Sequence, residues 1–362
     1  MKVWVDGSVF ENNRQYGIWR VFYEIMSRSQ RDVDYTLWLR SEPKQPLPPG
    51  VRIYQDAGRV ATSRVNLPVR LRRRMANRCD PPELLKADLF HSSGFTFPIS
   101  DSVKGLITIY DMVAESHFSI GIRELEESIA IKREAIARAC RLPCISKATA
   151  SELAAFYPAS ANKACVIHLG AEHLVRAETT SDTPQHADNG SALFLGNRSG
   201  YKNFQCVLAA MQTNVWPNNV RVDVVGSPFS DAESALLIRL GLADRLRHRG
   251  YLSDSELVRV YRNARCLIFP SFQEGFGLPC LESQSLDCPL LCSDIPVFHE
   301  VAGDAALFFD PRLGENLAMQ VDHVGNPNVR KELIKRGRSN LKRFSWDQSA
   351  KQMVQLYHEA IS

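Results

Sequence analysis

The sequence has no apolar run approaching the roughly 18 residues that a membrane-spanning helix needs. Its opening, MKVWVDGSVF, reaches Asp6 too soon for a secretory leader and reads as a first strand, so the chain is expected to work in the cytoplasm. The nine cysteines are scattered, with no Cys-x-x-Cys pair. Cys140/Cys144 and Cys288/Cys292 are four apart but lack a neighbouring His or second pair, which argues against a zinc site and against a disulfide framework. The Asp-x-Asp string at Asp32–Asp34 falls in an expected surface turn, and no metal site is expected. A net charge of +4 suits anionic ligands but is too small to argue for nucleic acid.

What is present is ordinary globular material. The 362 residues, 44% hydrophobic and 23% charged, exceed what one compact core usually holds and predict two domains. Short apolar runs (Val3–Val5, Tyr35–Leu39, Asp88–His91, Leu106–Tyr110, Pro143–Ile145, Cys165–His168) alternate with helical patterns (Gly17–Arg28, Glu124–Arg141, Ala148–Phe156), the rhythm of a parallel sheet covered by helices. The polar stretch 176–190 reads as a linker. Strand and helix patterns then resume from Ala192 and close with helices over Asn328–Arg343 and Trp346–Ile361. The expected division is a Rossmann-like domain over 1–175, completed by the last helix (346–362), and a second one over 191–345. Two doubly wound halves are expected to face a cleft, because open α/β sheets bind ligands beyond the carboxyl ends of their strands.

The most informative string is FPSFQEGFGLPCLE, Phe269–Glu282. A strand ends at Pro270, a loop with Gly275 and Gly277 follows, and a helix starts near Leu278. The glycines let backbone approach a ligand, and amides at a helix start favour an anion. Glu274 and Glu282, with seven residues between them, suit hydroxyls better than phosphate, since a carboxylate accepts hydrogen bonds and repels anions. A second string, LFLGNRSGYKNF (Leu193–Phe204), ends a strand at Gly196 and places Arg198 and Lys202 before a helix. Two cations at the positive end of a helix are unfavourable unless an anion lies between them.

With its continuation CPLLCSDIPVFHEVAGDAALFFDP, the first string resembles the signature of family 4 retaining glycosyltransferases of the GT-B fold, whose E-x7-E motif matches Glu274 and Glu282. The resemblance covers most of the C-terminal half. It implies that Glu274 contacts the donor sugar and Glu282 the ribose of the nucleotide. The amides of Gly275, Phe276, Gly277 and Leu278 would meet sugar hydroxyls and phosphate, and Arg198 and Lys202 would clamp the diphosphate. Lys202 matches the Lys of the family's Lys-Asn pair, whereas the residue before it, often basic in relatives, is Tyr201 here. The implied reaction moves a hexose-type sugar from a nucleotide-diphosphate sugar to a glycan or lipid-linked acceptor, in cell-surface polysaccharide or lipopolysaccharide synthesis. Donors already in place would stabilise charge on the departing diphosphate, with no metal or other cofactor required.

Other positions follow from the same resemblance. Tyr251 and Leu252, in RGYL before a helix start, would border the base, and Gly196 and Gly17 would approach the donor. In ITIYDM the place where many relatives have His-Asp holds Tyr110 and Asp111; tyrosine is a poor base at neutral pH but can hydrogen-bond an acceptor. Asp111 reads either as part of the reaction site or as a turn cap. His117 and Ser93 are candidate acceptor contacts. The cationic, apolar-interleaved segment Arg64–Arg78 reads either as a peripheral contact with anionic lipid at the inner face of the membrane or as a solvated helix face. Two other classes fit parts of this pattern. A sugar-nucleotide epimerase or a phosphorylase could use the same fold, although no lysine is marked for a phosphorylase cofactor. A non-enzymatic binding protein would use the arginines and leave the acids at Glu274 and Glu282 unexplained.

Overall fold

The computed structural model describes residues 1–11, 17–55, 80–98, 100–116, 123–174, 190–198 and 200–362. The segment Arg64–Arg78, His117 and nearly all of the polar stretch 176–190 lie outside the described residues. The chain divides into two compact units, Met1–Leu169 with Trp346–Ser362, and Gly170–Ser345.

In the first unit, strands β1 (Lys2–Asp6), β2 (Asp34–Leu39), β3 (Arg52–Gln55), β4 (Leu89–Ser92) and β5 (Gly105–Ile107) form a sheet of order β3-β2-β1-β4-β5, with every pairing parallel. A parallel pair, β6 (Leu142–Cys144) with β7 (Ala164–Val166), continues it through bridges from Leu106 to Arg141 and Ile109 to Cys144. Helices α1 (Gly17–Ser29), α2 (Arg123–Arg138) and α3 (Lys147–Phe156) connect the strands. Ser146 caps α3 by accepting the Thr149 N–H. The C-terminal helix, Trp346–Ile361, returns to this unit, burying Trp346, Met353 and Tyr357. Asp347 pairs with Arg28 of α1 at 2.8 Å, and Tyr357 bonds His91 of β4 at 2.7 Å.

In the second unit, β8 (Ser191–Leu195), β9 (Arg221–Val225), β10 (Leu246–Gly250), β11 (Cys266–Phe269), β12 (Leu290–Ser293) and β13 (Ala306–Phe309) form a parallel sheet of order β10-β9-β8-β11-β12-β13. The helices are α4 (Phe204–Met211), α5 (Asp231–Arg239), α6 (Asp254–Asn263), α7 (Leu278–Ser285), α8 (Pro296–Ala302), α9 (Gly314–His323) and α10 (Pro327–Asn340). Strands β11 and β12 are buried along their whole length, which is why they read as continuous apolar runs. Phe194, Phe204, Trp216, Ile268, Leu291 and Leu317 pack into one core, each such side chain contributing about 1.5–3 kcal/mol when fully buried. From β8 the chain winds outward to β10, then returns to place β11 on the other side of β8. That reversal is the topological switch point, where open α/β sheets carry their ligand crevice beyond the strand ends. The first unit reverses in the same way between β1 and β4.

Candidate active site

Lys202 and Glu274 stand on either side of the second unit's switch point, on the loops that leave β8 and β11. Lys202 Nζ donates to Glu274 Oε1 at 2.7 Å, and Ser271 Oγ donates to the same oxygen at 2.7 Å. The ammonium also lies 5.1 Å from the Tyr201 ring and 5.3 Å from the Phe269 ring, within cation–π range. Asn203 holds the Lys202 loop in place. Its φ of 54° is in the left-handed region, which asparagine tolerates better than most residues. Its buried amide donates to Pro270 O at 3.0 Å and to Pro311 O at 2.7 Å, stapling this loop to those that follow β11 and β13. The Phe272 N–H donates to Tyr201 O at 2.8 Å, tying the two loops a second time.

Gly277 caps α7 at φ 85°, and a Cβ there would come within 2.8 Å of the Phe298 ring. The chain therefore turns into α7 through a position only glycine fills comfortably. The first-turn amides of α7, Leu278 among them, have no carbonyl earlier in the helix, which gives this end its affinity for anions. Phe276 is buried and packs edge-on against Phe344 at 5.9 Å, so it anchors the loop from within. Gly275 is buried beside it. Cys280 is fully buried; burial first, then the nearby Cys292 and the two carboxylates Glu274 and Glu282, push its thiol well up, so it remains a neutral part of the site floor.

Glu282 lies on the second turn of α7. Tyr261 OH donates to its Oε2 at 2.8 Å, and His173 Nε2 lies 3.0 Å from its Oε1. Burial, then the Glu282 carboxylate, raises the Tyr261 phenol well above its ordinary value, so it stays a donor.

Arg198 does not join Lys202. Its Nε and Nη2 form a fork to Glu233 at 2.7 and 3.0 Å, Nη1 donates to Ser227 O at 2.6 Å, Nη2 also reaches Pro228 O at 2.7 Å, and the guanidinium sits 4.6 Å over Phe229. With its side chain only 5% exposed, it secures the loop after β9 rather than presenting charge to a diphosphate. The physical reason is that a buried guanidinium needs a planar acceptor pair, which Glu233 supplies from the first turn of α5. Hydrogen bonds from Arg198 are the first cause that holds the Glu233 carboxyl down at about 2. Each of the two cations thus faces its own carboxylate, Glu274 for Lys202 and Glu233 for Arg198.

Gly196, Gly226 and Gly250 follow or end β8, β9 and β10, all with positive φ, and a Cβ on Gly226 would meet Gly196 O at 2.8 Å. Tyr251 is 54% exposed and Leu252 partly so, directly before the Ser253–Glu256 capping box of α6.

In the first unit the expected acceptor residues have mostly internal partners. Ser93 is buried and donates to Asp6 O at 2.7 Å, beside Ser8, whose hydroxyl reaches Asp6 Oδ2 at 3.2 Å, while Thr96 also bonds that oxygen. The Tyr110 hydroxyl is buried, and burial raises its pKa, with the Thr108 hydroxyl beside it opposing the shift. It points inward, which corrects the expectation of a hydroxyl offered to an acceptor. Asp111 accepts the Val113 N–H at 3.1 Å, so it caps its turn, and its carbonyl takes a hydrogen bond from Lys132 at 2.7 Å. Gly17 opens α1 at an exposed position.

Asn203, Ser271, Tyr261, His173 and Asp6 escaped the sequence reading. Only Asn203, the second half of the Lys-Asn pair, carried a local signal. The others are brought in by packing.

Residues 176–340 match the model of the family described as glycosyl transferases group 1. Among curated relatives, the chain is 32% identical over 178 residues to an O-antigen chain mannosyltransferase B of Escherichia coli, covering 48% of this chain and 47% of that protein. It is 30% identical over 142 residues to the O-antigen chain mannosyltransferase RfbU of Salmonella typhimurium, covering 39% of each. The matches thus span less than half the length of these relatives. Among solved structures, Anabaena HepE in complex with UDP and glucose superposes with a TM-score of 0.72 at 14% identity, covering 99% of both chains. WaaG, a glycosyltransferase involved in lipopolysaccharide biosynthesis, superposes with a TM-score of 0.71 at 15% identity over 98% of this chain and 99% of that one. Residues 176–340 are thus similar to the group 1 glycosyltransferases, and the fold of the chain is GT-B.

Proposed function

We propose that the protein transfers a hexosyl residue, with mannosyl the first candidate, from a nucleotide-diphosphate sugar to a glycan or lipid-linked acceptor in cell-surface polysaccharide synthesis, with retention at the anomeric carbon. The observation that carries this reading is the Lys202–Glu274 pair at the switch point, set beside the Gly277-led start of α7 with Glu282 one turn further on. A cation, first-turn amides and two carboxylates in one unit match the parts of a nucleotide-diphosphate sugar: anionic phosphates between two sets of hydroxyls. The relatives named as O-antigen mannosyltransferases support the sugar and the acceptor class, and the HepE complex with UDP supports a nucleotide donor.

In this reading Lys202 leaves Glu274 for the phosphates when donor enters, and Glu274 turns to the sugar hydroxyls. As the sugar–phosphate bond breaks, negative charge gathers on the departing diphosphate, where Lys202 and the α7 amides stabilise it. A charge-assisted hydrogen bond of about 1.5–3 kcal/mol that forms fully in the transition state contributes about one to two decades of rate. Arg198 acts at one remove, by fixing the loop after β9. The acceptor's proton passes to the leaving phosphate in a front-face displacement.

A thermal-shift screen against UDP-, GDP-, ADP- and dTDP-sugars, followed by transfer assays with the stabilising donor and lipid-linked or free glycans, tests the proposal. A melting-point rise with one sugar nucleotide and transfer to an added glycan is the expected result. Turnover of that nucleotide to a sugar epimer with no acceptor present would overturn it.

A further inference from the structure

We infer that His173 and Tyr261 are positioning residues for Glu282, a buried two-point brace that fixes the carboxylate for the hydroxyls of the donor's ribose. This rests on the reading of Glu282 as a donor contact.

The geometry is specific. Each carboxylate oxygen receives its own donor: Tyr261 OH on Oε2 at 2.8 Å, His173 Nε2 on Oε1 at 3.0 Å. A carboxylate only accepts hydrogen bonds, so Nε2 is the protonated nitrogen of His173. The donors sit behind the carboxylate and not beside it in solvent. The His173 side chain is 2% exposed and Tyr261 is fully buried, whereas Glu282 is 14% exposed and is the member that reaches the surface. A free glutamate rotates about three bonds and spreads its acceptors over many directions. Two donors, one per oxygen, select a single orientation of the carboxylate plane.

The brace comes from elements that serve the site in other ways. Tyr261 lies on the last turn of α6, whose N-cap Ser253 directly follows Tyr251 and Leu252, so one helix connects the proposed base contact to the brace. Val258 and Val260 bury the same helix against the sheet, which keeps that spacing fixed. His173 lies in the first residues of the second unit, just past Leu169, where the chain leaves the first. Neither residue falls in the E-x7-E string, and only the fold brings them to it. A purely structural role, satisfying two buried polar side chains, would use the same bonds but would show no preference for any part of a ligand.

That difference sets the experiment. Wild type is titrated calorimetrically with UDP, GDP, ADP and dTDP, and the nucleotide that binds is compared with its 2′,3′-dideoxy counterpart. Tyr261→Phe removes one hydroxyl without changing shape, His173→Leu removes the imidazole donor, and His173→Gln keeps an N–H near the place of Nε2. Glu282→Gln is the reference. Tyr261→Phe and His173→Leu should each weaken the ribonucleotide about tenfold and leave the dideoxynucleotide unchanged, with His173→Gln recovering most of the loss. Should His173→Leu fail to fold, Tyr261→Phe and His173→Gln carry the same cycle. Equal losses for both nucleotides, or no loss for either, overturn the inference while the donor reading stands. Failure of wild type to bind any of UDP, GDP, ADP and dTDP overturns the donor reading, and the inference with it. Glu282→Gln losing affinity equally for both nucleotides does the same.

Discussion

Lys202 Nζ sits 2.7 Å from Glu274 Oε1, a bond that joins the loops leaving the two strands on either side of the second unit's switch point. The pair is partly exposed, with side chains 20% and 11% accessible, so its contribution to folding is small, on the order of 1 kcal/mol or less. In the proposed reaction its value lies in what the two groups do when donor replaces each as the other's partner. Lys202→Ala should therefore lower kcat for sugar transfer by about 10- to 100-fold and leave the melting temperature near that of wild type. Lys202→Arg should recover part of the rate. Wild-type kcat in Lys202→Ala would remove the lysine from the chemistry.

Arg198 behaves in the opposite way. Its fork to Glu233 and its bonds to Ser227 O and Pro228 O hold the loop after β9, so Arg198→Ala should destabilise the second unit by about 2–4 kcal/mol, read from urea unfolding. Nucleotide affinity should fall only as far as that loop loosens. The pH dependence follows from the sign of the Glu233 shift. Its folded value, about 2, lies below the unfolded 4.5, so its stabilisation is fully present above about pH 5 and is lost as pH falls from there toward 2. Because Glu233 is a third exposed, about 1 kcal/mol is the expected size. The stability gap between wild type and Glu233→Gln should close over that range, and a gap unchanged at pH 3 would show that the charge of Glu233 contributes nothing.

The contrast between these two cations shows what the sequence could carry. Lys202, Asn203, Gly277 and the E-x7-E string lie next to the turns that place them, so their spacing already contains most of their geometry. Arg198 looked equivalent because it sits on the same loop, but its partner is 35 residues away and no local pattern joins them. Tyr110 was similarly misleading: its strand-end position was legible, but the direction of its hydroxyl depends on the packing of the first unit. Strand β3 was missed because three of its four residues are exposed, so it lacks an apolar run. The buried strands β8, β9, β11 and β12 were legible because helices cover both sheet faces and leave near-continuous apolar runs.

Glycines with positive φ give a third prediction. At Gly277, a methyl group would meet the Phe298 and Phe269 rings at 2.8 and 3.1 Å in a backbone conformation that L-residues avoid. At Gly226, with φ 142°, it would meet Gly196 O at 2.8 Å, a backbone atom that cannot rotate away. Gly277→Ala should cost about 1–3 kcal/mol of stability and displace the start of α7, weakening nucleotide diphosphate binding as well. Gly241, also at positive φ but with nothing within 4 Å of its Cβ position, serves as the control. Gly241→Ala should show the strain cost without any loss of nucleotide affinity. Equal affinity losses at Gly241 and Gly277 would mean that neither turn is tied to the site.

His91 provides a test of the first unit. Its ring bonds Tyr357 OH at 2.7 Å on one side and Thr108 Oγ1 at 2.9 Å on the other, linking β4 to the C-terminal helix and to the end of β5. Burial depresses its pKa to about 3, so the folded state keeps it neutral. An unfolded histidine protonates near 6.5, so below that pH the unfolded chain binds a proton that the folded chain refuses. Stability should therefore fall as pH drops from about 6.5 to about 3, by up to about 1.4 kcal/mol per unit from this residue alone. His91→Gln keeps a donor and an acceptor for the two hydroxyls but does not titrate. It should be less stable than wild type at pH 8, through imperfect packing, and should overtake it as the medium is acidified. Unfolding curves followed at pH 8, 6 and 4.5 decide the matter, since a constant difference between the two proteins would mean that His91 is protonated in the folded state as readily as in the unfolded one.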